Sequence, residues 1–138
     1  MKYMAQIFFL LFSTTAQSNE LTMLSDLTHL KWEKRIIVVN NNQNEESALA
    51  LFGKNISEIN GRDIVWLIIK GDLAFTNYPG KLSEGLLNNT LNRYKIEQGK
   101  VILIGKDGRV KSQLDRIDLE AIFLDIDAMP MRQFEMQN

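Results

Sequence analysis

The chain contains the stretch Ile36-Ile37-Val38-Val39-Asn40-Asn41-Asn42-Gln43-Asn44, which decides the fold class. Its four consecutive branched residues predict a short strand that is buried on both faces, because a half-exposed strand would alternate apolar with polar residues. The polar residues after it predict a loop into a helix, with Asn44 as the N-cap and Glu45 and Glu46 in the first turn. A buried strand, a polar loop and a helix in this order are typical of an α/β domain.

Two later apolar runs have the same character as the first, one from Ile64 to Ile69 and one from Val101 to Ile104. Asp107-Gly108 follows the third run and predicts a two-residue hairpin to an edge strand from Arg109 to Leu114. These strands predict one sheet with helices on both faces.

Apolar residues at helical spacing predict three helices. The first begins after Asn44 and stops at Asn60-Gly61, the second spans Ser83 to Tyr94, and the third is capped by Asp118 and ended by Pro130. The residues predicted to face the core are Leu49, Phe52, Ile56 and Ile59 in the first helix, Leu86, Leu87, Leu91 and Tyr94 in the second, and Leu119, Ile122, Phe123 and Ile126 in the third.

The resulting order, β-α-β-α-β-β-α, predicts a thioredoxin-like three-layer α/β sandwich, with a right-handed crossover and a terminal hairpin followed by a helix. A flavodoxin-like sheet is the alternative. It would need further parallel strands, and the hairpin at Asp107-Gly108 argues against it. Trp32 and Trp66 are predicted to pack as structural residues.

Length and composition indicate one domain, which we expect to span residues 17–138. We also expect the protein to be a monomer. The 138 residues are 45% hydrophobic, with 16 basic and 17 acidic residues and a formal charge of -1. Because no strong positive field is present, neither nucleic acid nor an anionic membrane is expected to bind.

The first 16 residues resemble an export signal. Lys2 provides the positive end, Met4 to Phe12 the apolar region, and Thr14-Thr15-Ala16 a small-residue cleavage site, with cleavage after Ser18 as the alternative. The apolar region is too short for a retained anchor, since spanning a bilayer takes about 20 residues. We therefore expect a signal peptide at residues 1–16 and a mature protein that is periplasmic or secreted, with no membrane association after cleavage.

Four segments of the chain match motifs of a known family. They are Leu27-x-x-Leu30-x-Trp32-Glu33-Lys34-Arg35 with the strand 36–39, Lys70-Gly71-Asp72, Leu103-Ile104-Gly105-Lys106-Asp107-Gly108, and Ile126-Asp127-Ala128-Met129-Pro130-Met131-Arg132. In these segments the chain resembles the P-DUDES family, over about residues 24–136. These are small, usually exported bacterial domains of unknown function, related to domains of eukaryotic sushi-repeat extracellular-matrix proteins.

The resemblance implies a thioredoxin-like fold without an established enzymatic activity, and it supplies no catalytic residues. The matrix and adhesion roles of members outside bacteria imply partner binding only by analogy. The chain departs from the family in its Asn-rich segment after the first strand.

Thiol chemistry is excluded because the chain has no cysteine. Thioredoxin-type catalysis needs a thiolate at a helix N-terminus, where this chain has Asn40 to Asn44. Gln98-Gly99-Lys100 stands where thioredoxins place a cis-proline before the third strand.

Other chemistry has little support in the sequence. The sole histidine, His29, would have to carry a catalytic triad or a histidine metal site alone, and the carboxylates lack calcium-loop spacing. No catalytic residue, cofactor or metal is therefore predicted. The alternative functional hypothesis is a non-redox enzyme with a polar pocket at the carboxyl ends of strands 1 and 2, around Asn41, Asn42 and Asp72.

The leading hypothesis is a binding module for an envelope or extracellular protein. The tail from Met131 to Met136 has the composition of a contact surface, although it could instead fold back and fill an apolar groove. If Arg132 is held in place, Asp127 or Glu135 is its expected partner. The candidate contact residues are Asn41, Asn42, Asp72 and Arg132.

Overall fold

The computed structural model describes residues 23–40 and 44–137, which form a five-stranded mixed sheet with helices on both faces. The order across the sheet is β3-β2-β1-β4-β5, in which β1 and β2 are parallel and the other pairs are antiparallel. This is the predicted thioredoxin-like sandwich. The strands are β1 Arg35–Asn40, β2 Ile64–Lys70, β3 Leu73–Thr76, β4 Val101–Ile104 and β5 Val110–Leu114.

The helices connect these strands and follow the last of them. A 3₁₀ helix, Leu27–Leu30, precedes β1. The α-helices are α1 Glu45–Lys54, α2 Ile56–Gly61, α3 Leu86–Tyr94, α4 Leu119–Asp127 and α5 Pro130–Gln137. Asn44 and Asp118 cap α1 and α4 as predicted, because their side chains accept hydrogen bonds from the backbone of Ser47 and Ala121. No helix within the described ranges is long and apolar enough to cross a membrane.

The core consists of two apolar layers, one on each face of the sheet. Successive strand residues point to opposite faces, so Ile36 and Val38 pack against α3 and the 3₁₀ helix, while Ile37 and Val39 pack against α1, α2 and α4. All four are buried, as the uninterrupted apolar run predicts.

The first predicted helix is divided in two at Asn55. The side-chain amide of Asn55 donates to the carbonyl of Leu51 (2.8 Å), which competes with regular helical hydrogen bonding. As a result Ile56, which the single-helix pattern placed in the core, is 58% exposed.

Strand β3 is an element that the sequence did not predict. Gly71 adopts a left-handed conformation (φ 60°) and turns the chain back, so that Leu73–Thr76 pairs with the outer edge of β2. The strand is short and its residues are only partly covered, so its sequence lacks the apolar run that identifies the buried strands.

The β4–β5 connection is longer than the predicted two-residue turn. Gly105 accepts a hydrogen bond from Gly108 and donates one to Arg109, and the ladder register shifts between Leu103 and Ile104. Gly108 has a positive φ of 82°, which explains why glycine occupies this position. The second helix also begins later than predicted, at Leu86 rather than Ser83.

The two tryptophans have different environments. Trp66 stacks on Phe52 with ring centroids 4.8 Å apart, as expected of a structural residue. Trp32 is 60% exposed, so the prediction that it packs is wrong. Its backbone has a φ of 72° and lies in the turn before β1, which directs the ring away from the core.

Pro130 ends α4 as predicted and also begins α5. Proline suits the first turn of a helix, because its missing N–H would have no intrahelical partner there. The tail is therefore helical, and none of its residues is buried. It does not fill an apolar groove, which was one of the two expectations for it.

Candidate functional site

Of the four predicted contact residues, Asp72 and Arg132 are described by the structure, and they lie at opposite ends of the strands. Asn41 and Asn42 fall outside the described residues. Asp72 is exposed in the turn between β2 and β3, at the carboxyl edge of β2. Arg132 donates to the carbonyl of Gly61, which precedes β2 at the other edge (2.8 Å). The structure thus separates Arg132 from Asp72.

A cavity of about 320 Å³ opens at the carboxyl end of β1, where thioredoxin-fold enzymes hold their thiols. It lies between the first turns of α1 and the loop from β5 to α4, and its polar lining residues are Asn44, Ser47, Asp115 and Arg116. Asp72 is not among the residues that line it. Much of the polar lining is engaged, since Asn44 caps α1 and Asp115 pairs with Lys100.

The described residues that line the cavity include one hydroxyl and no histidine. Ser47 has a hydroxyl, but the sole histidine, His29, lies in the 3₁₀ helix on the opposite face of the sheet from α1. The positive end of α1 is already complemented by Glu45, whose pKa is held below its usual value by the hydrogen bond from Lys70. The described lining therefore lacks the serine-histidine pair that nucleophilic catalysis commonly uses.

The opposite edge of the sheet carries a network of buried charge around Arg35. Arg35 is the first residue of β1 and is 1% exposed. Its guanidinium donates to both carboxylate oxygens of Glu135 in α5 (3.1 and 3.3 Å) and to the carbonyl of Arg62 (3.0 Å). A buried guanidinium needs such partners, because an unpaired buried charge is costly.

Lys106, just after β4, continues the network. Its side chain is 8% exposed, and its ammonium donates to Glu135 (2.7 Å) and to Asp63 (2.9 Å). Burial alone would raise the pKa of Glu135, but the hydrogen bonds from Lys106 and Arg35 outweigh it and hold that pKa below its usual value. One tail carboxylate thus joins two buried cations.

Arg132 lies in the same network, and both of its predicted ion-pair partners are confirmed. It contacts Asp127 (3.2 Å) and Glu135 (3.7 Å). Asp127 also receives two hydrogen bonds from Arg62 (3.0 and 2.7 Å), and these lower its pKa. Arg132 is therefore held in place by the protein itself.

Sequence reasoning did not identify Arg35, Asp63, Lys106 or Glu135 as a group. The sequence nevertheless contained a signal for burial of these two cations. Arg35 directly precedes the apolar run 36–39, and Lys106 closely follows the apolar run 101–104, so both side chains start next to buried strands. Three of the four segments that resemble known motifs converge at this edge, through Arg35, Lys106 and the segment 126–132.

Helix α5 is held to the domain by charged residues, and none of its residues is buried. It contacts the domain through the charged Arg132 and Glu135, while Met131, Phe134 and Met136 are 41, 67 and 52% exposed. We call these three the exposed apolar residues of α5; Met131 and Phe134 are neighbours at i and i+3, whereas Met136 projects from another side of the helix. Such a concentration of large apolar side chains on one surface helix is typical of an interaction site.

The topology and the cysteine-free end of β1 define the chain as a thioredoxin-fold domain without thiol chemistry. The family described as a domain of unknown function (DUF4174) matches residues 26–135, and the chain belongs to this family.

A solved structure supports the fold assignment. The mitochondrial 2-Cys peroxiredoxin from Plasmodium falciparum is similar with a TM-score of 0.51 at 14% sequence identity, over 74% of this chain and 79% of the peroxiredoxin chain. At this identity the similarity concerns the fold alone. A comparison with curated proteins found no match.

Proposed function

We propose that the chain is an exported binding domain that holds a protein partner of the cell envelope through the exposed apolar residues of α5. The observation that carries this proposal is the exposure of Met131, Phe134 and Met136 on a helix that is held by charge. Leu124 of α4 is a further large apolar residue that is exposed, at 67%. We also propose that within its family the chain is a P-DUDES domain, on the strength of the segment 126–132.

The ion pairs beneath α5 support a rigid binding surface. Glu135 of α5 pairs with Arg35 and Lys106, and Arg132 of α5 donates to the carbonyl of Gly61, so the exposed side chains are presented on a fixed backbone. A surface ordered before binding loses less conformational entropy when the partner docks. Phenylalanine and methionine are both enriched at protein interfaces.

Loss of the thiol site supports binding over redox catalysis. The fold offers its usual catalytic position at the end of β1, but the sequence there contains only amides. Amide side chains are not nucleophiles at neutral pH, so the retained scaffold serves to position surfaces.

The partner proposal is tested by photocrosslinking in intact cells. A photoreactive phenylalanine analogue at position 134 should capture a discrete partner, whereas the same analogue at Lys54, an exposed position on α1, should not. The double substitution Phe134→Ser and Met136→Ser should abolish copurification of that partner without changing the circular dichroism spectrum. Equal capture at both positions, or unchanged copurification by the double variant, would refute the proposal.

Export is tested separately on the untagged protein. N-terminal sequencing of material from the cell envelope should begin near Gln17, because residues 1–16 have the arrangement of a cleaved signal. An intact Met1 in the soluble cytosolic fraction would refute export without touching the partner proposal.

A second candidate is a non-redox enzyme at the carboxyl ends of β1 and β2. The 320 Å³ cavity beside Val39 favours it, since enzymes place substrates in such clefts. Turnover of model esters or phosphate esters that Ser47→Ala abolishes and Ser83→Ala leaves intact would support this candidate. Activity that is equal in both variants would come from elsewhere.

A further inference from the structure

A second cavity lies between the β4–β5 turn and the joint of α4 and α5. Its volume is about 310 Å³. One part of its wall carries cationic side chains and another part is apolar. The cationic residues are Arg35, Lys106 and Lys111, the apolar residues are Met129, Pro130 and Met131, and the acidic Asp107 lies on the cationic side.

Two buried cations on this wall have spare hydrogen-bond donors. The Nε of Arg35 is buried and has no acceptor among residues 23–40 and 44–137, although both terminal nitrogens of the group are bonded. The ammonium of Lys106 carries three protons and has two acceptors, Asp63 and Glu135. Buried donors nearly always have a partner, so this wall is suited to a further acceptor.

Lys111 adds a cation whose position can adjust. Its ammonium pairs with Asp107 (2.8 Å), and both side chains are partly exposed, 31% and 27%. An ion pair at the surface contributes little to stability, so Lys111 can be shared with an incoming anion at small cost. Glu135 already shows that Arg35 and Lys106 together bind a carboxylate at two points.

We propose that this cavity binds a small carboxylate that carries an apolar group. The carboxylate lies against Lys106 and Lys111 with Arg35 behind them, and the apolar group packs against Met129 and Met131. The cations already have internal partners, so the binding is weak and depends on both parts of the ligand. A free branched-chain acid and the C-terminal residue of a peptide share this chemistry.

The test is a nuclear magnetic resonance titration, with three probes, of the protein as purified from its expressing cells. Isovalerate represents the free acid, N-acetyl-leucine represents a peptide C-terminus, and isovaleramide is the neutral control of the same shape. We expect saturable shifts of the Gly105, Lys111 and Met131 amides with at least one acid and none with isovaleramide. Binding of only one acid identifies the source, while equal shifts with isovaleramide, or no saturable shift with either acid, would overturn the proposal.

Two substitutions keep the proposal falsifiable without disturbing Arg35. Lys111→Gln should weaken acid binding on the order of threefold or more, because it removes one charge-assisted hydrogen bond. Lys54→Gln, which removes an exposed lysine on α1, is the matched control and should have no effect. Equal affinities of the two variants would overturn the role of Lys111.

Gly105→Ala provides a variant that retains every charge. A Cβ at position 105 would lie 2.5 Å from Cε of Lys111, so the lysine side chain must move from its place. We expect the same loss of acid binding as in Lys111→Gln, and unchanged affinity would contradict the geometry. Because Phe134 does not line the cavity, the serine variants that test the partner proposal should bind the acid normally.

Discussion

Arg35 at the start of β1 and Glu135 in the last helix are 100 residues apart in sequence, and they form an ion pair through two hydrogen bonds of 3.1 and 3.3 Å. The pair joins the central strand of the sheet to α5. Arg35 is almost fully buried whereas the side chain of Glu135 is 25% exposed, so the carboxylate reaches inward from the surface to meet a charge in the core. Because a buried charge needs its partner, the pair fixes where α5 can lie.

Glu135→Gln should destabilise the protein by about 3 kcal/mol, because it leaves Arg35 and Lys106 buried without their shared counter-ion. Urea unfolding followed by tryptophan fluorescence measures the change. Glu58→Gln is the matched control. Its side chain is 58% exposed and pairs with Arg62, so it should cost about 0.5 kcal/mol or less. Equal changes in the free energy of unfolding for the two substitutions would show that the buried network stabilises the protein no more than a surface ion pair does.

The network should also make stability depend on pH in the acid range. The pKa values of Glu135 and Asp127 are lower in the folded protein than their ordinary values of 4.5 and 3.8. The unfolded chain therefore binds more protons in this range, and the stabilisation is fully present above the ordinary values and is lost as the pH falls through the folded ones.

Urea midpoints measured from about pH 7 to about pH 3 should fall more steeply for the wild type than for a variant with Glu135→Gln and Asp127→Asn. The variant lacks both titrating groups, so its remaining slope comes from other carboxylates. Parallel slopes for the two proteins would show that neither pKa is lowered.

The parts of the fold that could be predicted from the sequence are those that depend on residues adjacent in the chain. The buried strands follow from the uninterrupted runs at residues 36–39 and 101–104, and the caps Asn44 and Asp118 follow from local hydrogen bonding. The break at Asn55 and the pairing of β3 were missed, because each depends on a single side-chain bond or on an edge strand with little apolar character.

The charged network could be predicted only in part. Asp127 and Glu135 lie close to Arg132 in the sequence, so their pairing with it could be predicted from spacing alone. Arg35 and Lys106 are separated from Glu135 by 100 and 29 positions in the sequence. The order of the strands in the sheet brings them together, so local spacing does not predict these pairs. The direction in which α5 presents its apolar residues depends on the same long-range pairs.

Asp118→Ala should destabilise the protein by about 1 kcal/mol, because the carboxylate accepts a hydrogen bond from the backbone of Ala121 at the start of α4. Thermal unfolding followed by circular dichroism measures the loss. Asp125→Ala, on the exposed side of the same helix, removes an equal charge without removing a cap. If the two variants melt together, the effect is one of charge and the cap is not the cause.

The protein should not reduce disulfides, despite its thioredoxin fold. Exchange requires a thiolate that attacks a sulfur atom, and the chain has no cysteine to provide one. In an insulin reduction assay with dithiothreitol, the turbidity should therefore rise at the rate of buffer alone, while thioredoxin in parallel accelerates it. The end of β1 has amides in this position, and an amide neither forms a mixed disulfide nor lowers the pKa of the added thiol. Turnover above the buffer rate that persists after repeated purification would mean that the scaffold promotes exchange between external thiols, and the proposal of a binding domain would then have to yield to a catalytic one.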